Sequence, residues 1–436
     1  MKFTVNVGKL LAAIDPCIDI SLSSKNSIKD FIGLGKIYIK SNKDNEELYV
    51  KSFNGKIAID GTLNNLMVDD LSLSVSEDGF ITLDSKHLVS ALESFNSEQS
   101  VVFNLVNKTD QSKELFIHDA ADDTQYQTLT CFNDDVEIPS KIEDSEVENK
   151  FKIGRELFLS GQNKISFALC SDSQKVEFLY WVMRVKGDRI RFASGMGGMF
   201  AFYDVEGKNI IDSTKKDFNI LFSSEYTPSM VKVLKEISDS SITVKESKSQ
   251  PHKVSVSAGI YTLLLVGMDP PNDWINDVDL FNRDTSDCRF VVKAEDWEYA
   301  CRGADATHTD EMKKEEKTHS VNLCFDSVKN VVEVKSENAL KSIRKVKVSD
   351  FTTSCGLKEH NCSSYSKYVS SVLNFVKSGF IQFEFASKKD STAKGGIVKV
   401  YCNASDKVAD GSSLKSTNLA SGVSEYSTVM FVQNFQ

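Results

Sequence analysis

The sequence is poor in proline and lacks any long apolar run. Its 436 residues include only six prolines, so no proline-rich linker separates domains and we expect neighbouring domains to abut closely. No stretch approaches the roughly 18 apolar residues that cross a bilayer, and Asn6, Gly8 and Lys9 interrupt the first apolar patch too early for a signal peptide. These absences predict a soluble, cytoplasmic protein that does not insert into a membrane.

Motifs for catalysis and metal binding are also missing. The nine cysteines are scattered, and no two of them have the C-x-x-C spacing of a zinc knuckle. The six histidines form no H-E-x-x-H or similar pattern, and no G-x-S-x-G occurs. We therefore expect free, mostly buried thiols, no metal, no cofactor and no enzymatic activity.

One glycine-rich stretch could be read as a nucleotide site. In RIRFASGMGGMFAF, residues 189–202, three glycines lie within four residues, and backbone N–H groups of such a loop can hold an anion. A phosphate-binding loop joins a strand to a helix, whereas the alternating apolar residues here predict strands on both sides. The stretch therefore predicts a connection between two strands, with glycines that can adopt positive φ.

The chain contains three similar segments. Each begins with a basic residue and a phenylalanine, followed by an alternating strand and an amphipathic helix. The segments are KFTVNVGKLLAAI from Lys2, KFKIGRELFLSGQNKI from Lys150 and RFVVKAEDWEYACRGA from Arg289. A strand, a polar turn and a second apolar stretch follow in each segment, and the three copies align on Ser52, Ser194 and Ser336.

A second helix and more strands complete each copy. The helices are DSKHLVSALESF, SEYTPSMVKVLKEI and SYSKYVSSVLNFV, and Ser85 is the expected N-cap of the first. We predict an α+β fold of three repeated domains, each with two helices packed on antiparallel sheets. The predicted domains are residues 1–145, 146–285 and 286–436, called below the first, second and third repeats.

Three units of this length resemble the bacterial-type DNA polymerase sliding clamp, the β subunit of polymerase III. The local similarities are MKFTV at the start, RIRFAS, VGMDPPNDW and the terminal YSTVMFVQNF. The sequence departs from the family where GMGGMF follows Ala193-Ser194 in place of Asp-Gly-His-Arg, and where Phe431 replaces a proline. The chain resembles a divergent member of the family.

This resemblance implies a processivity factor without enzymatic activity. Two three-domain subunits would join head to tail as a homodimeric ring around duplex DNA, with the helices lining the hole. Their lysines would attract phosphates, while a net charge of −10 would keep the outer surface acidic. The implied partners are duplex DNA, bound without sequence specificity, a replicative DNA polymerase, a clamp loader and a second copy.

The resemblance also implies three sets of site residues. The DNA-facing set is Lys9, Lys86, Arg155, Lys164, Lys232, Lys235, Arg302, Lys367 and Lys377. The set that would bind a partner peptide is Leu179, Ser194, Gly195, Met199, Phe200, Pro271, Thr428, Met430, Phe431 and Val432. The dimer-interface set is Tyr126 and Trp297.

Each set has a plainer interpretation. Any single lysine is equally well an ordinary solvated helix residue, and Met430 and Phe431 could cap the core of the third repeat. Trp297 is equally well a core residue. For the whole chain, the alternative function is a scaffold of repeated domains without DNA contact, and an enzyme with an unrecognised site is a third.

Overall fold

The fold is described by a computed structural model. It describes residues 1–23, 35–108, 112–132, 138–139, 141–169, 179–187, 189–196, 199–213, 217–249, 253–266, 288–307, 320–337, 341–353, 359–375, 379–385, 395–402 and 425–435. Among these residues, no helix combines the length and apolar character needed to cross a membrane.

Strands outnumber helices in all three repeats. The first repeat contains β1 Lys2–Asn6, α1 Val7–Leu22, β2 Lys36–Asn42, β3 Glu47–Phe53, β4 Ile57–Leu63, β5 Ser74–Glu77, β6 Gly79–Asp84, α2 Ser85–Glu93, β7 Ser100–Asn107, β8 Lys113–Asp119 and β9 Tyr126–Thr130. The second contains β10 Val147–Gly154, α3 Arg155–Ile165, β11 Tyr180–Lys186, β12 Arg189–Gly195, β13 Met199–Glu206, β14 Ile210–Ser213, β15 Phe218–Ser223, α4 Thr227–Glu236, β16 Ser241–Ser247, β17 Lys253–Ala258 and β18 Tyr261–Val266.

The third repeat follows a similar order, with four described strands between its helices where the other repeats have five. It contains β19 Cys288–Lys293, α5 Ala294–Asp305, β20 Ser320–Asp326, β21 Val331–Glu337, β22 Lys341–Thr353, β23 Glu359–Tyr365, α6 Ser366–Ser371, β24 Phe380–Phe385, β25 Gly395–Cys402 and β26 Glu425–Phe435. In each repeat, the predicted phenylalanine strand leads directly into a helix, as β1 into α1, β10 into α3 and β19 into α5. The predicted α+β fold is confirmed.

The chain divides into two compact units, and the first holds two sheets. This unit comprises Met1–Leu159, Ile210–Lys215 and Glu225–Asp269. Its five-stranded sheet has the order β5-β1-β7-β8-β9, and its nine-stranded sheet the order β14-β10-β16-β17-β18-β4-β3-β2-β6. Antiparallel pairing of β4 with β18 makes one sheet continue from the first repeat into the second.

The second unit holds one twelve-stranded sheet. This unit comprises Ser160–Asn209, Lys216–Ser224 and Pro270–Gln436. The strand order is β15-β11-β12-β13-β26-β23-β20-β21-β22-β19-β24-β25, and β26 also pairs with β25. Antiparallel pairing of β13 with β26 joins the second repeat to the third. The domain boundaries at residues 145 and 285 stay a prediction, because the two units share the second repeat.

Side-chain caps explain where the first helices begin. Asn6 caps α1 by accepting a hydrogen bond from the backbone N–H of Lys9 at 2.9 Å. Asp84 caps α2 in the same way, accepting from the N–H of His87 at 3.0 Å. The prediction that Ser85 is this cap was wrong by one residue. Ser85 is the first helical residue, and its buried hydroxyl bonds to that of Ser21 in α1 at 2.7 Å.

The three serines used to align the repeats each form a hydrogen bond with the first helix of their repeat or with the segment just beyond it. The hydroxyl of Ser52 donates to the carbonyl of Cys17 in α1, and that of Ser194 to the carbonyl of Ile165 at the end of α3, both at 2.6 Å. Ser336 bonds to the hydroxyl of Thr307, just beyond α5, at 2.7 Å. All three serine side chains are fully buried. The sheet of each repeat is therefore tied to its first helix at the same position.

Aromatic residues fill the core of each repeat. Phe3 stacks on Phe103 at 4.5 Å between ring centres, and both are buried. In the second unit, Trp181 stacks on Phe222 at 4.2 Å, and Trp297 packs on Phe383 at 4.4 Å. Burying an aromatic ring of this size contributes roughly 1.5–3 kcal/mol, so these stacks anchor helices and sheets to one another.

Candidate DNA-facing helices and partner groove

The basic residues predicted to face DNA lie on all six described helices. Lys9 is on α1, Lys86 on α2, Arg155 and Lys164 on α3, Lys232 and Lys235 on α4, Arg302 on α5 and Lys367 on α6. Lys377 lies outside the described residues. Every repeat thus carries at least one basic residue on each of its two described helices.

Four of these residues form ion pairs with carboxylates. The pairs are Lys9–Asp70, Arg155–Glu156, Lys232–Asp19 and Arg302–Glu298. The Lys9 Nζ lies 3.8 Å from Asp70 Oδ2, and both side chains are largely exposed. An exposed pair such as Lys9–Asp70 contributes about 0–1 kcal/mol, so an approaching phosphate can displace Asp70 at little cost.

The other four described lysines form no ion pair with any described residue. They are Lys86, Lys164, Lys235 and Lys367. Lys86, Lys235 and Lys367 are exposed, and Lys164 is half-buried near the end of α3. Each repeat contributes at least one of them. Because no described carboxylate pairs with them, these four lysines are the most available of the set to a phosphate backbone.

An acidic group on α1 and α4 surrounds Lys232. One carboxylate oxygen from each of Asp15, Asp19 and Glu236 lies within 4.8 Å of the others. Burial, reinforced by repulsion from Asp19, raises the pKa of Glu236. The hydrogen bond to Asp19 raises the pKa of Lys232. Because carboxylates hold Lys232, we expect it to attract phosphate less than Lys235 does.

The glycine-rich stretch connects two strands, as predicted. β12 ends at Gly195 and β13 begins at Met199, and the N–H of Met196 donates to the carbonyl of Met199 at 2.9 Å. The two strands pair in register, with Gly195 opposite Phe200. No helix follows the glycines directly, so this stretch lacks the helix N-terminus of a phosphate-binding loop.

Sheet pairing brings most of the predicted partner-peptide residues together. Met199 lies opposite Phe431, Phe200 opposite Met430, and Phe202 opposite Thr428. Val432 lies on the same strand, β26, and pairs with β25. Pro271 lies outside the described residues. Residues that stand more than 200 positions apart in the sequence are therefore neighbours across two strands.

An apolar cluster lies beside these strands in the second unit. Its buried members are Leu179, Tyr180, Val182, Ala193, Phe202, Leu221 and Tyr401. The half-buried Phe200 packs against this cluster and leaves part of its ring accessible. Of the predicted set, Leu179, Met199 and Ser194 are buried. The Ser194 hydroxyl donates a hydrogen bond to the carbonyl of Ile165. Their contact with a peptide stays a prediction.

The two predicted interface residues lie in different environments. Tyr126, at the start of β9, is 58% exposed and packs only partly on Phe116. Trp297 is fully buried in α5, where its indole N–H donates to the carbonyl of Val369 at 3.2 Å. The buried position of Trp297 agrees with the interpretation of this residue as part of the core. Tyr299, two residues later, is 59% exposed and was missed by sequence reasoning.

Solved structures share this architecture over nearly the whole chain. The DNA polymerase III β subunit from Pseudomonas aeruginosa matches with a TM-score of 0.71 at 13% identity, covering 99% of both chains. The chain has the sliding-clamp fold. The sliding clamp from Bacillus subtilis matches with a TM-score of 0.72 at 12% identity, covering 100% of this chain and 99% of that one.

A third structure agrees with these two. The β subunit of polymerase III from Caulobacter crescentus matches with a TM-score of 0.71 at 14% identity and covers 99% of each chain. No protein-family model and no curated protein matches the sequence. The resemblance to sliding clamps that the sequence indicated is confirmed at the level of the fold, with the low identity of a divergent chain.

Proposed function

We propose that two copies of this chain form a ring that encircles duplex DNA and tethers a DNA polymerase to it. The observation that carries the proposal is the sliding-clamp fold over the whole chain, combined with basic residues on the helices of every repeat. Tethering raises the effective concentration of the polymerase at its template, so the protein would act without catalysing a reaction.

The exposed lysines suit a protein that slides. Lys86, Lys235 and Lys367 stand on helices from three different repeats and end in flexible, compact charges. Such side chains can contact any phosphate, and phosphate contacts carry no base sequence information. A clamp bound in this way would move along DNA without stopping at particular sequences.

Two free strand edges supply the means to close a ring. β9 pairs with β8 along one edge, and no described strand pairs with Tyr126–Thr130 along the other. Residues 341–347 of β22 pair with β21, and within the described chain no strand covers their second edge. Pairing β9 of one copy with β22 of another would cover both edges, and repeating the contact would close a two-subunit ring.

A partner groove next to β13 and β26 would receive the polymerase. Phe200 offers a partly accessible ring beside an apolar cluster, and the neighbouring strand carries Met430 and Phe431. An apolar floor with accessible aromatic edges suits a short apolar peptide. A separate ATP-driven loader would open the ring, because the sequence contains no phosphate-binding motif of its own.

The test is whether binding depends on the topology of the DNA. The protein is loaded onto nicked circular duplex by the cognate loader and separated from free protein by gel filtration in moderate salt. We expect it to elute with the circle and to be lost once the circle is cut at one site. Equal retention on circular and linear DNA would contradict encirclement, and no retention on either would favour the scaffold alternative.

A variant that cannot close the ring provides the control. Thr128 lies in the middle of β9 and is exposed, so Thr128→Pro removes a donor from the free edge without disturbing the core. This variant should fold normally and fail to stay on circular DNA.

A further inference from the structure

We infer that a second copy pairs its β22 with β9 in a single register, in which its Ser342 lies opposite Gln127. This inference rests on the proposed ring and specifies the contact that closes it. It follows from two rows of paired residues that cross the joints between repeats inside this chain. The joints are the pairing of β4 with β18 and the pairing of β13 with β26.

The first row crosses from the second repeat into the first. It begins at the buried Phe151 in β10, the strand before α3, and ends at Ser52, which bonds to α1. The directly opposed residues are, in order, Phe151, Val244, Val256, Leu263, Ile59 and Ser52. The joint lies between Leu263 and Ile59.

The second row crosses from the third repeat into the second. It begins at the buried Phe290 in β19, the strand before α5, and ends at Ser194, which bonds to the end of α3. The directly opposed residues are Phe290, Phe383, Val400, Val429, Ala201 and Ser194. The joint lies between Val429 and Ala201. Both joints therefore occur at the same step of the same row.

The third row is divided between two free edges. In the first unit it runs through Phe3, Phe103, Ile117 and Gln127 and stops at the open edge of β9. In the second unit its other end is Ser336, which lies opposite Ser342 on β22. Joining the two halves as in the other rows places Gln127 against Ser342 of a second copy. Antiparallel pairing then places Tyr126 against the second copy's Ile343.

The exposure of these residues agrees with this register. Tyr126 is 58% exposed and Ile343 is 55% exposed, although both are large and apolar. Directly opposed side chains on one face of an antiparallel pair stand close enough to cover each other. The register therefore hides one exposed residue of each edge behind the other.

The helices support the same contact. In each repeat, the residue sixteen positions after the row's phenylalanine lies at the end of the first helix: Asp19, Phe167 and Ala306. Asp19 pairs with Lys232 on α4, and Phe167 packs edge to face on Phe375, just after α6, at 5.3 Å. Asp19 therefore contacts the second helix of the following repeat, and Phe167 contacts the segment that directly follows that helix. Ala306 is exposed, and the helix left for it is α2 of a second copy.

A cavity between α2 and β9 marks where α5 would lie. It has a volume of about 550 Å³ and is lined by Leu83, His87, Ala91, Leu129 and Phe132, among others. Tyr299 and Arg302 on α5 and Ala306, its C-cap, form an exposed stripe at helical spacing. A second copy of this chain is the occupant we assign to the cavity, because first helices cover the corresponding faces at the internal joints.

Chemistry distinguishes this joint from the internal ones. At the matching position the internal joints oppose Leu263 with Ile59 and Val429 with Ala201, whereas this joint opposes Gln127 with Ser342. Two polar side chains exclude less apolar surface from water than two aliphatic ones. At this position, the intersubunit joint therefore buries less apolar surface than the internal joints.

Disulfide trapping tests the register. Single variants Tyr126→Cys and Ile343→Cys are mixed, exchanged and oxidised mildly, and the products are separated on a non-reducing gel. We expect the covalent dimer to form at least tenfold faster than in the matched mixture of Tyr126→Cys with Lys345→Cys, which moves the thiol two residues along the same exposed face. The parent chain is oxidised in parallel to set the background; its Cys17, Cys131, Cys301 and Cys362 are buried and its Cys324 is half-buried.

The other outcomes separate this inference from the proposed ring. Faster trapping with Lys345→Cys would overturn the register while leaving the dimer intact. No trapping in either mixture, with sedimentation still showing a dimer, would mean that other surfaces form the ring. Sedimentation showing only a 48.6 kDa monomer at micromolar concentration would overturn the ring itself, and the register with it.

Discussion

Replacing Asp204 with asparagine should destabilise the second unit strongly. Asp204 lies in β13, and its carboxylate receives two hydrogen bonds from Arg191 on β12, at 2.7 Å and 3.0 Å. Asp204 is 1% exposed, while the Arg191 side chain is 17% exposed and its guanidinium lies over the ring of Phe202 at 5.3 Å. Asparagine preserves the shape of the side chain but removes the negative charge of Asp204 from beside the guanidinium.

The magnitude follows from the burial of the pair. Removing one partner of a buried ion pair costs about 3–5 kcal/mol, because the remaining charge stays desolvated. Arg191 keeps some contact with solvent and with Phe202, so we expect a value near the lower end, about 3 kcal/mol. A loss of this size is a large fraction of the stability of a typical domain.

Urea unfolding followed by tryptophan fluorescence measures the effect. Trp181 and Trp297 both belong to the second unit, so their signal reports on the unit that contains the pair. The matched control is the double variant Arg191→Met with Asp204→Leu, which replaces both charges by apolar side chains and should unfold within about 1 kcal/mol of the parent. A loss below about 1 kcal/mol in Asp204→Asn, or equal losses in both variants, would refute the reasoning.

Two further predictions concern the proposed DNA-facing helices and partner groove. Lys235→Gln should reduce the magnitude of the salt slope of DNA binding by about 0.9 for each phosphate that the side chain no longer neutralises, whereas Lys232→Gln should change it less, because Asp19 already holds that lysine. Equal slopes in the two variants, measured by titration of duplex DNA at several salt concentrations, would contradict this difference. Phe200→Ala should weaken binding of the cognate polymerase's C-terminal peptide at least tenfold in a titration, since it removes the accessible ring of the groove. Ile211→Ala, an exposed change on β14, is the control, and equal binding by the parent and both variants would place the groove elsewhere.

The repeat could be predicted because each copy encodes the same local pattern. A basic residue, a phenylalanine and an alternating strand before a helix recur three times, and these are short-range signals. Aligning the copies on Ser52, Ser194 and Ser336 identified residues that all bond to the first helix of their repeat, Ser336 through the hydroxyl of Thr307. A buried hydroxyl needs a hydrogen-bond partner, and in each copy the first helix supplies it.

Contacts between distant segments could not be predicted in the same way. Asp19 and Lys232 are separated by more than 200 residues, so no local pattern indicates that a carboxylate holds this lysine. Helical periodicity also left open whether Trp297 lies in the core or at an interface, and it did not single out Tyr299. Two residues turn a helix by about 200°, so one of them must be buried when the other is exposed, but the sequence does not say which face meets the sheet.

The central place of β26 has a consequence for how the chain is made. Val205 in β13 pairs with Glu425 in β26, so that edge of β13 has no partner until residues 425–435 have left the ribosome. β25 and β23 also pair with β26, so their edges lack this partner until the same residues are made. During synthesis, the half-built sheet exposes unpaired backbone groups that could pair with a neighbouring nascent chain. Chaperone contact with β13 should therefore last until β26 has left the ribosome.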